Sequence, residues 1–136
     1  MSAHEPSDAA LRDARQRQTD LAASLQRLAG VRPHETRFEG ELCLVSDASG
    51  QGAVNALVEE RFGPAAKPAN APVPAALGQH PLVAAIGGIH GDQTLYLHEV
   101  ASGLTLYVAY WPWGSGAQFT IKLGVHVPKA PGVEAR

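Results

Sequence analysis

A chain of 136 residues with 45% hydrophobic and 18% charged content can build one domain with a real core, and is too apolar for wholesale disorder. The formal net charge of -2, with no block of like charge, argues against phosphate-driven nucleic-acid binding. A single cysteine, Cys43, excludes an intramolecular disulfide and a thiolate zinc cluster. No apolar run approaches the ~20 residues that span a bilayer. Met1 leads into Ser2, Ala3, His4, Glu5 and Pro6 rather than a basic and then apolar signal, so a cytoplasmic location is the default expectation.

Residues 1–7 are expected to be disordered. Ser7 can cap a helix that starts at Asp8 and runs to about Ala29, with Gly30 as the residue that ends it and Pro33 beyond. Leu11, Ala14, Gln18, Leu21, Leu25 and Leu28 recur at alternating steps of three and four, a seam narrower than most globular helices carry. Such a seam packs on the domain's own sheet or pairs with a copy or a partner. Phe38–Val45 reads as a strand, with Phe38, Leu42 and Leu44 on one face and Arg37, Glu39, Glu41 and Cys43 on the other. Ser46–Gly52 is a turn and Ala53–Phe62 a short helix stopped by Gly63 and Pro64. Residues 63–79, with Pro64, Pro68, Pro72 and Pro74, form a Pro/Ala-rich connector. Pro81–Gly88 is read as a helix with Pro81 in its first turn, a small-residue strand being the alternative.

The most regular stretch is C-terminal. Gln93–Val100, Leu104–Trp111 and Phe119–Val127 read as a three-strand meander joined at Ser102-Gly103 and Pro112–Gly116. Alternation places Leu95, Leu97, Leu104, Leu106, Val108, Tyr110, Phe119, Ile121, Leu123 and Val125 on one face. Tyr96, His98, Thr105, Tyr107, Trp111, Thr120, Lys122 and His126 fall on the other. The tail 128–136 is expected to be disordered. The fold expected is a single α+β domain over 8–127. An antiparallel sheet of four to five strands with a C-terminal three-strand meander is packed by a long N-terminal helix and a shorter second helix. This order of layers resembles profilin-like and roadblock-like sandwiches in outline, without a motif specific to either.

A two-residue turn at Ser102-Gly103 pairs His98 with Tyr107, and the second turn sets Lys122 beside Tyr107. With Tyr96 on the same face, this Tyr/His/Lys row is the candidate ligand site: Tyr96, His98, Tyr107 and Lys122. No catalytic residues are assigned, because no carboxylate or nucleophile joins the row. His98 and His126 lie too far apart for one ion, and His90 with Asp92 lacks a third ligand, so no metal and no cofactor is expected. Gly50-Gln51-Gly52 before a helix allows phosphate approach, but Asn55 stands where the dinucleotide pattern has its third glycine. Cys43 has no identifiable base.

Trp111, Pro112 and Trp113 at a turn, beside Tyr110, form an aromatic patch of the kind that anchors interfaces. The interface residues expected are Trp111, Trp113, Tyr110, Leu21, Leu25 and Leu28. The reading is a non-enzymatic interaction or accessory protein (an adaptor, small subunit or immunity-type binder) that meets a protein partner or a second copy of itself. Neither nucleic acid nor membrane is expected as a partner. The alternative is a small-ligand-binding protein or enzyme that uses the Tyr/His/Lys face.

Overall fold

The computed structural model describes residues 7–36, 40–86, 88–101 and 103–127. The expectations for residues 1–6 and 128–136, the residues Arg37, Phe38 and Glu39, Gly87 of the expected Pro81–Gly88 helix, and Ser102 of the first meander turn lie outside that set. The first helix, α1, spans Asp8–Gln26, and the Ser7 hydroxyl accepts the Ala10 amide at 3.0 Å. It ends three residues before the expected Ala29. The chain then turns through Gly30, whose φ of +83° is a conformation a side chain would strain. The seam faces inward: Ala14, Gln18, Leu21, Ala22 and Leu25 are buried against the protein's own sheet. Gln18, which breaks the leucine pattern, fastens the helix. Its Nε2 donates to the carbonyls of Gly40 and Leu123, both at 2.8 Å.

Five antiparallel strands follow: β1 (Val31–His34), β2 (Leu42–Asp47), β3 (Thr94–Ala101), β4 (Leu104–Pro112) and β5 (Gln118–His126), in the order β1-β2-β5-β4-β3. The strand expected from Phe38 is described from Leu42, and it carries buried Cys43, Leu44, Val45 and Ser46 while Leu42 stays at the surface. β1 was not expected. Four residues with a proline among them carry no alternation to read, and β1 exists because Val31 to His34 pair with Ser46 to Cys43. The second helix, α2 (Gln51–Phe62), packs beside α1 on the same face, with Val54 and Val58 buried. Leu21, Leu25, Leu44, Val54, Val58, Tyr96, Val108, Tyr110, Ile121 and Leu123 belong to this main core.

The other face of the sheet is partly roofed by the connector. It ends in a short helix, α3 (Ala75–Gly78), and the helix expected from Pro81 follows as α4 (Pro81–Ala85), with Pro81 in its first turn. Leu77, Leu82 and Val83 close on Leu95, Tyr107 and Ala109 to make a second, smaller core. The protein is therefore a helix–sheet–helix sandwich of three layers.

Two features correct the expected meander. Ala101 pairs with Leu104, as a two-residue turn requires, but the register slips by one between Glu99 and Ala101. This bulge leaves Val100 as an extra residue and turns the rest of β3 over. Tyr96 and His98 therefore lie on the α1/α2 face with Val108 and Leu106, while Leu95 and Leu97 lie on the connector face with Tyr107. The second hairpin is paired further in than expected, out to Pro112 with Phe119 and the Trp113 amide with the Gln118 carbonyl. Tyr107 consequently faces Gly124, and Lys122 faces Ala109.

Both sheet edges are blunted, which limits strand-to-strand aggregation. Pro33 withholds a donor from the β1 edge. On the β3 edge, Lys67 and Leu95 exchange backbone hydrogen bonds at 3.0 and 3.2 Å. The Lys67 ammonium, with the residue 0% exposed, donates to the carbonyls of Pro68 (2.9 Å), Gly91 (2.7 Å) and Gln93 (2.6 Å). Burial holds its pKa below the usual lysine value, with Asp92 opposing that shift.

Candidate functional site

The expected His98–Tyr107–Lys122 row does not form. The bulge puts His98 on the α1/α2 face, and the longer second ladder carries Lys122 away from Tyr107 by two residue pairs. Tyr96 is buried, its ring 5.7 Å from that of Tyr110, and its hydroxyl donates to Glu59 Oε2 at 2.7 Å. That leaves Tyr107 and Lys122 together, but in another setting. They line a cleft of about 300 Å³ with Arg15, Gly40, Glu41 and Gly124, rimmed by Ala84 to Ile86 at the end of α4.

Inside this cleft Gly124 is a matter of space. A Cβ there would fall within the Tyr107 ring, 2.6 Å from Cε2. The missing side chain lets the ring lie across β5, and the hydroxyl reaches Glu41 Oε2 at 2.8 Å. Glu41 is only 8% exposed, and the Cys43 thiol approaches its other oxygen at 3.8 Å. Burial, and next the Glu41 carboxylate, push the Tyr107 hydroxyl well above its ordinary value. The Cys43 thiol is also raised, chiefly by burial, with a smaller opposing hydrogen bond from Thr36. At neutral pH both groups keep their protons, which is the wrong state for a nucleophile.

The aromatic turn is divided between interior and surface. Tyr110, 1% exposed, sits in the main core with its ring 5.2 Å from Phe119. Leu21 and Leu25 are likewise interior, and Leu28 is partly buried against the same core. These four do not form a patch with the tryptophans, which lie on the opposite face. Trp111 packs against the smaller core, and Lys122 Nζ sits 4.9 Å from the centre of its ring. Trp113 is 38% exposed. Its indole N–H donates to Thr120 on β5 at 2.9 Å, and its ring lies 6.2 Å from that of His34 on β1. It thus folds back from the hairpin across the strip between them, where Val45 of β2 is buried. Sequence reasoning missed His34 because β1 itself gave no signal.

Gly50, at the head of α2, has Ser46 Oγ 3.0 Å from where its Cβ would lie, a packing reason for a glycine there. Among the described residues no three His, Cys, Asp or Glu side chains come together as metal ligands. His98 and His126 are on opposite faces of the sheet. His126 instead lies near His80, ring centres 6.5 Å apart and planes tilted by 57°, and the His80 Nδ1 accepts the Leu82 amide that begins α4.

Burial, and secondarily His80, lower the His126 pKa below 6.5. A depressed pKa means that its contribution to stability is complete above the unfolded value near 6.5 and is lost as pH falls through the folded value. Urea midpoints should therefore drop between neutral and mildly acidic pH. His126→Gln should make that drop shallower. An unchanged profile in the variant would assign the acid sensitivity to other groups.

Compared with protein-family models, curated proteins and solved structures, the chain matches none of them significantly. Among the described residues no helix is long and apolar enough to cross a membrane.

Proposed function

We propose that this protein is a non-enzymatic interaction or accessory protein whose contact surface is the strip formed by Trp113, His34, Trp111 and Lys122. The observation that carries the reading is Trp113, a large aromatic held in place by the Thr120 bond and still 38% exposed. A pre-set tryptophan loses little side-chain freedom on binding and is a favoured anchor. The flanking cations, Lys122 over Trp111 and Arg32 3.6 Å from Asp47, give the strip a polar rim. Pro33 blocks simple strand addition along β1, so contact through the face is favoured over contact through the edge. Cys43 and Tyr107 both keep their protons, so neither is a ready nucleophile.

A second copy of the chain is the first partner to test. Light scattering after size exclusion should report a dimer in the micromolar range, and Trp113→Ala should shift it to monomer. The same variant should lower the melting temperature by only a few degrees, roughly the effect of 1 kcal/mol in a domain of this size. A monomer at every concentration rejects self-association, and a collapse in melting temperature with the mass unchanged makes Trp113 a core residue.

The alternative, a small-ligand protein, draws its support from the cleft beside Tyr107 and Lys122, where Glu41 and Arg15 converge with them.

A further inference from the structure

The bulge in β3 has a chemical consequence on the α1/α2 face. By turning over, the strand delivers His98 to the gap between the middle of α1 and the C-terminal end of α2, where its ring meets Phe62 edge-on at 6.4 Å. A cavity of about 310 Å³ opens there. Its floor is apolar: Leu21 and Leu106, both buried, and the half-buried ring of Phe62. Its rim is polar, with Arg17 from α1 and Arg61 from α2 beside His98.

The rim groups are engaged in ways that leave capacity. Arg17 binds Asp13 through Nε at 3.0 Å, a contact in which both side chains are more than half exposed. Such pairs are weak and open readily. Arg61 touches Ser24 through one terminal nitrogen at a long 3.5 Å. One carboxylate, Asp20, also lines the cavity, and it accepts the Gln16 amide at 2.9 Å along α1. Two guanidinium groups thus face two carboxylates, Asp13 and Asp20, but Asp13 engages Arg17 through Nε and Asp20 is engaged by Gln16, so the terminal nitrogens of Arg17 remain for a ligand.

We infer that this cavity is a binding site for a small amphipathic carboxylate, an aromatic or short-chain acyl acid. Its apolar body lies on Leu21, Leu106 and Phe62, and its carboxylate is held between Arg17 and Arg61. A planar guanidinium fork matches a carboxylate in geometry and charge. An apolar floor with a few convergent polar groups is the usual build of a small-molecule site, and this volume fits a single ring or a short chain. The site is separate from the Trp113 strip, which lies on the opposite face of the sheet.

The test is a titration of the full chain followed by NMR. Phenylacetate is the probe, and octanoate supplies the acyl arm. Phenethylamine reverses the charge on the same ring, and phenylacetamide removes it. Phenylacetate should move the Leu21 and Leu106 methyl resonances and the His98 ring resonances saturably. The amine should not, and the amide should bind about tenfold more weakly. Arg61→Gln, at an exposed position, should weaken phenylacetate by about tenfold with the fold intact, and Arg17→Gln should act in the same direction. The inference is overturned if no acid moves these resonances, if the amine binds as well as the acid, or if the shifts map to another region. Unchanged phenylacetate affinity in both arginine variants would also overturn it.

Discussion

Lys67→Met is expected to lower the unfolding free energy by about 1–3 kcal/mol. Its ammonium is buried and gives each of its three protons to a backbone carbonyl, those of Pro68, Gly91 and Gln93. Among the described residues no carboxylate lies within ion-pair distance, so these carbonyls, with the more distant Asp92 charge, compensate it for leaving water. Methionine fills nearly the same volume, which separates the loss of donors from the loss of packing. The Gln93 carbonyl then loses its donor, while those of Gly91 and Pro68 keep the Asn70 and Ala71 amides. The backbone bonds between Lys67 and Leu95 lose their anchor as well, so amide exchange at Leu95 should speed up. Denaturant unfolding measures the first effect and hydrogen exchange the second. A variant within ~0.5 kcal/mol of the parent would show that the carbonyls find water, and that the lysine is not the clamp.

Gly124→Val is expected to cost about 3 kcal/mol or more. The added side chain enters the space of the Tyr107 ring, so the ring must leave the surface of β5. Leaving breaks its hydroxyl bond to Glu41, and a buried carboxylate loses its best donor. Steric and polar costs therefore arrive together. A double-mutant cycle tests the cause. In a Tyr107→Leu background, Gly124→Ala should cost far less than in the parent, giving a coupling of about 1–3 kcal/mol. Additive effects would mean that the glycine serves the backbone of β5 rather than the ring.

How much of this was readable from the residues can be judged element by element. Ser7, Asp8 and the spacing of Leu21, Leu25 and Leu28 specified the first helix and its inner face, because capping and periodicity are local. Pro81 placed the start of α4 for the same reason. The long alternation in 104–125 correctly sorted β4 and β5 into two faces. The class, an antiparallel sheet under a long and a shorter helix, follows from those signals, and the structure has it.

What the chain alone left open was decided by contacts distant in sequence. A bulge is one extra residue, and nothing in Glu99, Val100 and Ala101 distinguishes the odd one out. Yet it determines which face receives Tyr96 and His98, since each slip by one reverses every side chain beyond it. The choice is made by the whole sandwich: Tyr96 gains Glu59 and Tyr110 on one face, and Leu95 gains Leu77 and Leu82 on the other. β1 is likewise a strand only because β2 is there to pair with it. A charged residue in a proline-rich connector gave no hint that Lys67 would be the most deeply enclosed cation among the described residues. Sequence by itself determined the elements and their amphipathic faces, which depend on neighbours a few residues away. Only the tertiary structure decided the register, the roof over the second face and the groups that meet at each cavity, because those depend on pairings between residues far apart along the chain.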